Sequence, residues 1–285
     1  MAARRRIGSC RLRVSAGRGI PGTTAVRNDR GRPPVTPGIR FALGVSAVAA
    51  SAAGVCVHHA TYGVRSQWLG PTDWRGPVDV RSVALTFDDG PADDTARILD
   101  HLAALDVRAA FFMLGRQVER HPRIARRIVE EGHEVGNHSY SHPIFLFCSP
   151  AETRRELERT QEIIAVTTGV RPRWSRPPCG VRTPAYFRAS RGLGLRTVQW
   201  TVAAYDWKRR GAERIASDVV RRLSPGSIVL LHDGDSKDRR HRRETVAAVP
   251  RIIAAARDRE LAIHPLARLL DVRSTGVHSL QDADA

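Results

Sequence analysis

Two carboxylates stand side by side at Asp88 and Asp89, between the apolar run Val83-Ala84-Leu85 and the turn residues Gly90-Pro91. Adjacent anions repel, and such a pair is tolerable where a cation neutralises one and a second group keeps the other ionised. The apolar run before them and the Gly-Pro after them put the acids where a buried strand empties into a loop, the place where α/β proteins keep their chemistry. An Asp-Gly turn between strands is the alternative on this stretch alone. A second candidate is His138 and His142 in Gly136-Asn137-His138-Ser139-Tyr140-Ser141-His142-Pro143. Their spacing predicts one face of a helical turn, ended at Pro143, with both imidazoles in reach of one ion; the alternative is a pair of surface histidines. One carboxylate plus two imidazoles makes an open three-ligand site of the kind that holds catalytic zinc.

Three more clusters close apolar runs: Trp174-Ser175-Arg176-Pro177-Pro178-Cys179-Gly180, Ala204-Tyr205-Asp206-Trp207 and Ile228-Val229-Leu230-Leu231-His232-Asp233. Arg176, stiffened by two prolines, suits holding a carboxylate ionised. His232 titrates in the range a general acid needs, and Asp206 suits orienting that imidazole and raising its pKa. An ordinary surface arginine, a hydrogen-bonded core histidine and a turn or helix-capping aspartate are the competing readings.

The elements that must position these groups alternate. Strand-like runs at 82–87, 109–114, 133–136, 172–175, 196–202, 227–231 and 261–264 are separated by helical patterns at 94–105, 122–131, 151–167, 184–193, 212–223 and 244–259. Pro122 and Pro184 suit first helical turns, and Gly132, Gly169 and Gly194 suit helix ends. That alternation predicts a parallel sheet, barrel or doubly wound, with all five clusters converging at one end.

The remainder of the chain carries no such chemistry. Residues 1–40 hold ten Arg and one Asp, about half of the formal net charge of +17, and their Arg-Gly-Pro composition without periodicity predicts disorder. No aromatic residues interleave the charge, which argues against nucleic acid as a partner. Lysine occurs only at Lys208 and Lys237, so the basic balance reads as compositional bias. Residues 41–57 are an uncharged run suited to a signal peptide or signal-anchor helix, with a buried Ala-rich helix as the alternative. Export follows from the first reading, with the product secreted or anchored at the outer face. The lead before the run is long for a signal sequence, so a start codon further downstream is an open alternative. Residues 58–80 read as a linker and 273–285 as a disordered tail. Of the four cysteines, Cys10, Cys56, Cys148 and Cys179, only the last two are placed to bridge, and none has metal-finger spacing.

Thr86-Phe87-Asp88-Asp89-Gly90, His138-Ser139-Tyr140-Ser141-His142, Arg176-Pro177-Pro178, Asp206-Trp207 and Leu230-Leu231-His232 occur in one order and spacing. In these motifs the chain, from Ser82 to Leu270, resembles the polysaccharide deacetylases, carbohydrate esterase family 4, also called the NodB homology domain. The resemblance implies an α/β fold, a distorted TIM-like (β/α)7 barrel over residues 81–272, preceded by the disordered basic N-terminus and the hydrophobic segment. It implies a metal-dependent hydrolase removing N-acetyl groups from N-acetylglucosamine-containing glycans, with peptidoglycan and chitin oligosaccharides as candidate substrates. Esterase action on O-acetyl xylan, or a barrel that binds glycan without turning it over, are the alternatives. Carried over by position, Asp89, His138 and His142 are metal ligands for Zn2+, with Co2+ or another divalent ion in its place. Asp88 is the catalytic base, Arg176 its charge partner, His232 the general acid and Asp206 its tuning residue. Trp207 and Leu230 line the acetyl pocket. Cys179 stands where a tyrosine is usual, so an oxyanion-binding backbone N–H survives there while the pocket shape changes, and Ala204-Tyr205 also departs from the common pattern. The expected partners are a glycan and, through an uncleaved N-terminal segment, a membrane, with no nucleic acid and a monomeric protein.

Overall fold

The computed structural model describes residues 53–271, except Arg209 and Asp238. The basic lead, most of the hydrophobic run (41–52) and the tail at 273–285 lie outside the described residues, so the expectations of disorder and of a signal or anchor are not addressed by them.

A short helix, α1 (53–62), opens the described chain. The alternation then begins with β1 (Ser82–Asp88), α2 (Asp93–Ala104), β2 (Ala110–Met113), α3 (Gly115–Arg120), α4 (Pro122–Glu130) and β3 (Glu134–Asn137). It continues through α5 (Pro150–Thr168), β4 (Trp174–Ser175), α6 (Pro184–Gly192), β5 (Arg196–Thr197) and β6 (Val202–Ala203). The last elements are α7 (Ala212–Val220), β7 (Ile228–His232), α8 (Arg243–Asp258), β8 (Ala262–Ile263) and α9 (Leu266–Asp271). Local chemistry sets the boundaries. α5 starts on a Ser149–Glu152 capping box with Pro150 in its first turn and ends at Gly169, whose φ of 74° is left-handed. Thr183 caps α6 by accepting the Tyr186 N–H.

The strands form one parallel sheet in the order β5-β4-β3-β2-β1-β7-β6, with β8 pairing the start of β1. The sheet curls into the expected barrel-like α/β fold with helices outside. Strand periodicity decides what faces where. On β1, Val83, Leu85 and Phe87 join the core under the helices, while Ala84, Thr86 and Asp88 take the opposite, inner face. β7 repeats the pattern, with Val229 and Leu231 under the helices and Ile228, Leu230 and His232 inside. The inner face is packed at its base by Ala84, Ala110, Phe112, Trp174 and Ile228 against Leu266, Leu269 and Leu270 of α9. The polar residues of the same face are therefore displaced to the carboxyl ends of the strands. Gly136 on β3 makes room for this filling, since a Cβ there would collide with the Phe112 ring.

Two expectations change, and one open alternative closes. The apolar run 196–202 is two strands, because β5 pairs β4 while β6 pairs β7 at the far end of the sheet. Between them the barrel has a seam, bridged by Val198, by the parallel contact of Asp73 with Val198, and by the Arg176 guanidinium, which donates to the carbonyls of Val198 (3.3 Å) and Gln199 (3.1 Å). Residues 58–80 do not behave as a free linker: Thr61 and Ser66 are buried, the Arg182 N–H donates to the Thr61 carbonyl, and its guanidinium donates to the Ser66 carbonyl (2.9 Å) and to Gly63. Cys148 and Cys179 are free thiols and form no bridge. The helices α3 and α9 were beyond the reach of periodicity because each is only six residues long.

Candidate active site

Asp88 and His232 are register partners on β1 and β7, and their strands bring both side chains to the inner rim. Asp88 is buried and its Oδ1 accepts from Arg176 Nη1 at 2.7 Å. Arg176 is itself fully buried, and further donors reach Thr86 Oγ1 (2.9 Å) and the carbonyls of Val198 and Gln199, so each of its three nitrogens has a partner. Its planar group also lies over the Phe112 ring, 4.0 Å from the centroid. Burial pulls the Arg176 pKa below its ordinary value, and the Asp88 charge pulls it back.

The imidazole of His232 is held from the other side. Its Nδ1 lies 2.8 Å from Asp206 Oδ1, its backbone N–H donates to Asp206 Oδ2 (2.7 Å), and Thr245 Oγ1 donates to the same oxygen (2.9 Å). Burial works against a charge on His232, but Asp206, with smaller help from Asp89 and Asp88, outweighs it and raises the pKa to about 9. Burial likewise opposes the charge on Asp206, and the facing His232 prevails, holding that carboxyl below its usual range. Trp207 meets the His232 ring edge to face with centroids 5.2 Å apart.

Asp89, His138 and His142 converge between these two pairs, with one ligand atom of each within 4.8 Å of the others. The histidines do not share a helical turn. His138 ends the β3 register with its N–H on the Met113 carbonyl, and the chain then loops through Ser139 (φ 71°) to His142 (φ 63°). The loop is fixed by side chains: Asn137 Oδ1 accepts the Ser139 N–H, Ser139 Oγ accepts the His142 N–H, and Glu156 of α5 accepts the N–H groups of Tyr140 and Ser141. The helical expectation fails because Ser and Asn compete for these backbone donors.

The three residues fit a metal. Asp89 Oδ1 is buried without a hydrogen-bond partner, the condition a carboxylate ligand is in before its ion arrives. His138 Nδ1 lies 2.7 Å from the Arg176 carbonyl, which leaves Nε2 to face Asp89 Oδ1 at 3.7 Å, and His142 Nε2 faces the same oxygen at 3.4 Å. Burial lowers the His142 pKa to about 4, so its lone pair is available at neutral pH. An N,N,O donor set of this kind suits zinc and related divalent ions.

A cavity of about 400 Å³ contains Asp88, Asp89, His138, His142, His232, Cys179, Trp207 and Leu230 in its walls. Arg176 and Asp206 stand behind Asp88 and His232 instead of lining it. Cys179 sits with φ 55° beside Gly180 (φ 69°), whose carbonyl accepts from Gln199 Nε2. A larger open groove of about 650 Å³ along α5, lined by Tyr140, Glu156 and Arg159, holds no comparable set of groups. Trp200, Asp235, Ser236 and Arg242 also line the smaller cavity and were not anticipated. The first lies within the strand-like run 196–202, whereas the loop 234–242 carries no signal beyond its charge.

A sequence profile of the family described as polysaccharide deacetylase matches residues 75–198. A chitooligosaccharide deacetylase of Bradyrhizobium sp. (strain ANU 289) is 41% identical over 198 residues, spanning 66% of this chain and 90% of that protein. The crystal structure of a peptidoglycan N-acetylglucosamine deacetylase superposes with a TM-score of 0.66 at 34% identity, covering 70% of this chain and 92% of the other. A carbohydrate esterase family 4 pseudoenzyme from Bacillus anthracis superposes with a TM-score of 0.65 at 32% identity, covering 70% and 69%. Likeness of sequence over most of a relative's length, together with a shared fold, settles descent: the chain belongs to the polysaccharide deacetylase family, carbohydrate esterase family 4, and is an enzyme of that class.

Proposed function

We propose that the protein hydrolyses N-acetyl groups of N-acetylglucosamine-containing glycans, chitin oligosaccharides or peptidoglycan, using a divalent metal held by Asp89, His138 and His142. The observation that carries this reading is the pairing of two opposed groups across one cavity, Asp88 backed by Arg176 and His232 backed by Asp206. A metal at that site, zinc or cobalt for example, supplies Lewis acidity toward the acetamide carbonyl and the attacking water.

The chain's own residues supply the rest. Arg176 occupies Asp88 Oδ1, and Asp88 takes the proton as water attacks the carbonyl carbon. Charge then gathers on the carbonyl oxygen, and this reading assigns the backbone N–H of Cys179, a residue lining the cavity, as its donor. The neighbouring N–H groups of Gly180 and Val181 are taken by the Pro177 and Pro178 carbonyls. As the carbon–nitrogen bond breaks, protonated His232 passes a proton from Nε2 to the departing amine, since Nδ1 is held by Asp206. Trp207 and Leu230 wall the space for the acetyl methyl. An amide nitrogen is a poor leaving group until it is protonated, which is why an acid faces the base.

Acetate release from chitin oligomers, peptidoglycan and acetylated xylan, with zinc or cobalt present, tests the proposal. Release from neither N-acetylated polymer sinks it, and release from xylan alone establishes the esterase alternative. The resemblance to a pseudoenzyme, with Cys179 in the pocket, motivates the glycan-binding alternative; activity in wild type that Asp88→Asn abolishes eliminates it. Export by the uncharged run, with the enzyme secreted or held at the outer face as a monomer, completes the proposal, and fractionation of expressing cells checks it.

A further inference from the structure

Asp233 follows His232 in the chain and belongs to none of the groups that line the cavity, yet it is fully enclosed behind the metal site. Its Oδ1 accepts the Gly90 N–H at 3.0 Å, its Oδ2 accepts Thr95 Oγ1 at 2.7 Å, and its own N–H donates to the Asp88 carbonyl at 3.2 Å. Thr95 in turn accepts the Ala92 N–H at 2.8 Å in the first turn of α2. These bonds tie down both flanks of Asp89, whose backbone holds a left-handed φ of 77°. A non-glycine residue keeps such a conformation only where its surroundings over-determine it. The packing is close enough to exclude side chains on either side: a Cβ at Gly90 would collide with the Asp233 carboxylate, and one at Gly234 would lie 2.5 Å from the Asp89 carbonyl oxygen.

We propose that Asp233 is a positioning residue for the metal site, holding the backbone on both sides of Asp89 so that its carboxylate points at His138 and His142. The inference rests on reading those three residues as the ligands. Outer groups that orient a ligand typically change metal affinity by about 10- to 100-fold. The role is one of geometry, so the amide of Asn, which keeps an acceptor for Gly90 and turns its NH2 to Thr95 Oγ1, should fulfil it.

The test is zinc affinity of the purified metal-free protein, measured by competition with a chromogenic chelator, alongside thermal melting. Asp233→Ala is expected to weaken zinc binding about 10- to 100-fold, Thr95→Val to weaken it by a smaller factor, and Asp233→Asn to bind as wild type does. Leu223→Ala, a core substitution remote from the site, is expected to lower the melting temperature with zinc affinity unchanged. Wild-type affinity in Asp233→Ala overturns the inference, as does equal weakening in Leu223→Ala, or an Asp233→Asn protein as weak as Asp233→Ala. Should Asp233→Ala fail to fold, unchanged affinity in Thr95→Val overturns it. Wild type that binds zinc but releases no acetate defeats the deacetylase reading alone. Wild type that releases acetate while Asp233→Ala keeps full zinc affinity defeats this inference alone.

Discussion

Asp88 and His232 are lateral neighbours on adjacent strands, and each has a private partner of opposite charge. Arg176 pairs with the first, and Asp206 holds the second as a cation at neutral pH, so a carboxylate and an imidazolium face one cavity. Asp88→Asn should lower kcat by about 10²- to 10⁴-fold, the usual worth of a positioned base, while the metal stays bound; steady-state kinetics with metal analysis checks both. His232 lies above its unfolded value of 6.5, so its contribution to stability is complete below that pH and is lost as pH rises through about 9. Rate follows the same sign, because the acid must be protonated. Asp206→Asn removes the charge that raises His232 and should move the alkaline limb of the rate profile to lower pH with a reduced kcat. A limb that stays in place refutes the assignment of His232 as acid.

At the scale of elements, the strand ends do the positioning, and this much was readable in the residues: apolar runs ending in Asp88, Arg176 and His232 had to converge once the sheet was parallel. What escaped was the path of the chain where side chains, not periodicity, set the backbone. His138 to His142 satisfies a helical spacing but follows a loop dictated by Asn137, Ser139 and Glu156, the last of which is remote in sequence. The split of 196–202 into β5 and β6 depends on which strands are free to pair, a property of the closed fold that no local stretch records. Gly136 offers an element-scale test. Gly136→Ala pushes a methyl into Phe112, under the Arg176 guanidinium, and should destabilise the protein by roughly 1–3 kcal/mol through overpacking, seen as a lower melting temperature. An unchanged melting temperature would mean that the barrel interior is looser than its packing implies.

For the whole molecule, the proposed chemistry needs the barrel and its metal and makes no use of the Arg-rich lead. Treatment with a chelator should abolish acetate release, and zinc should restore it. Removal of residues 1–40 should leave the rate on soluble oligosaccharides unchanged, whereas a loss of activity would give the basic lead a part in substrate capture. The net charge of +17 thus bears on solubility and encounter more than on the reaction.

The seam between β5 and β6 gives Arg176 an obligation that precedes any chemistry. Its guanidinium holds the consecutive Val198 and Gln199 carbonyls of the segment that joins β5 to β6, and the same plane of N–H groups presents one more donor to Asp88. The two members of this ion pair are therefore unequal under mutation. A descendant can exchange the acid for an uncharged acceptor, retain a closed barrel and become a silent binder of glycans. One that exchanges the arginine strips two carbonyls of their donor and leaves a buried anion with no counter-charge. Catalysis in this fold can be shed by a single step, and the arginine is the last trace such a step would erase.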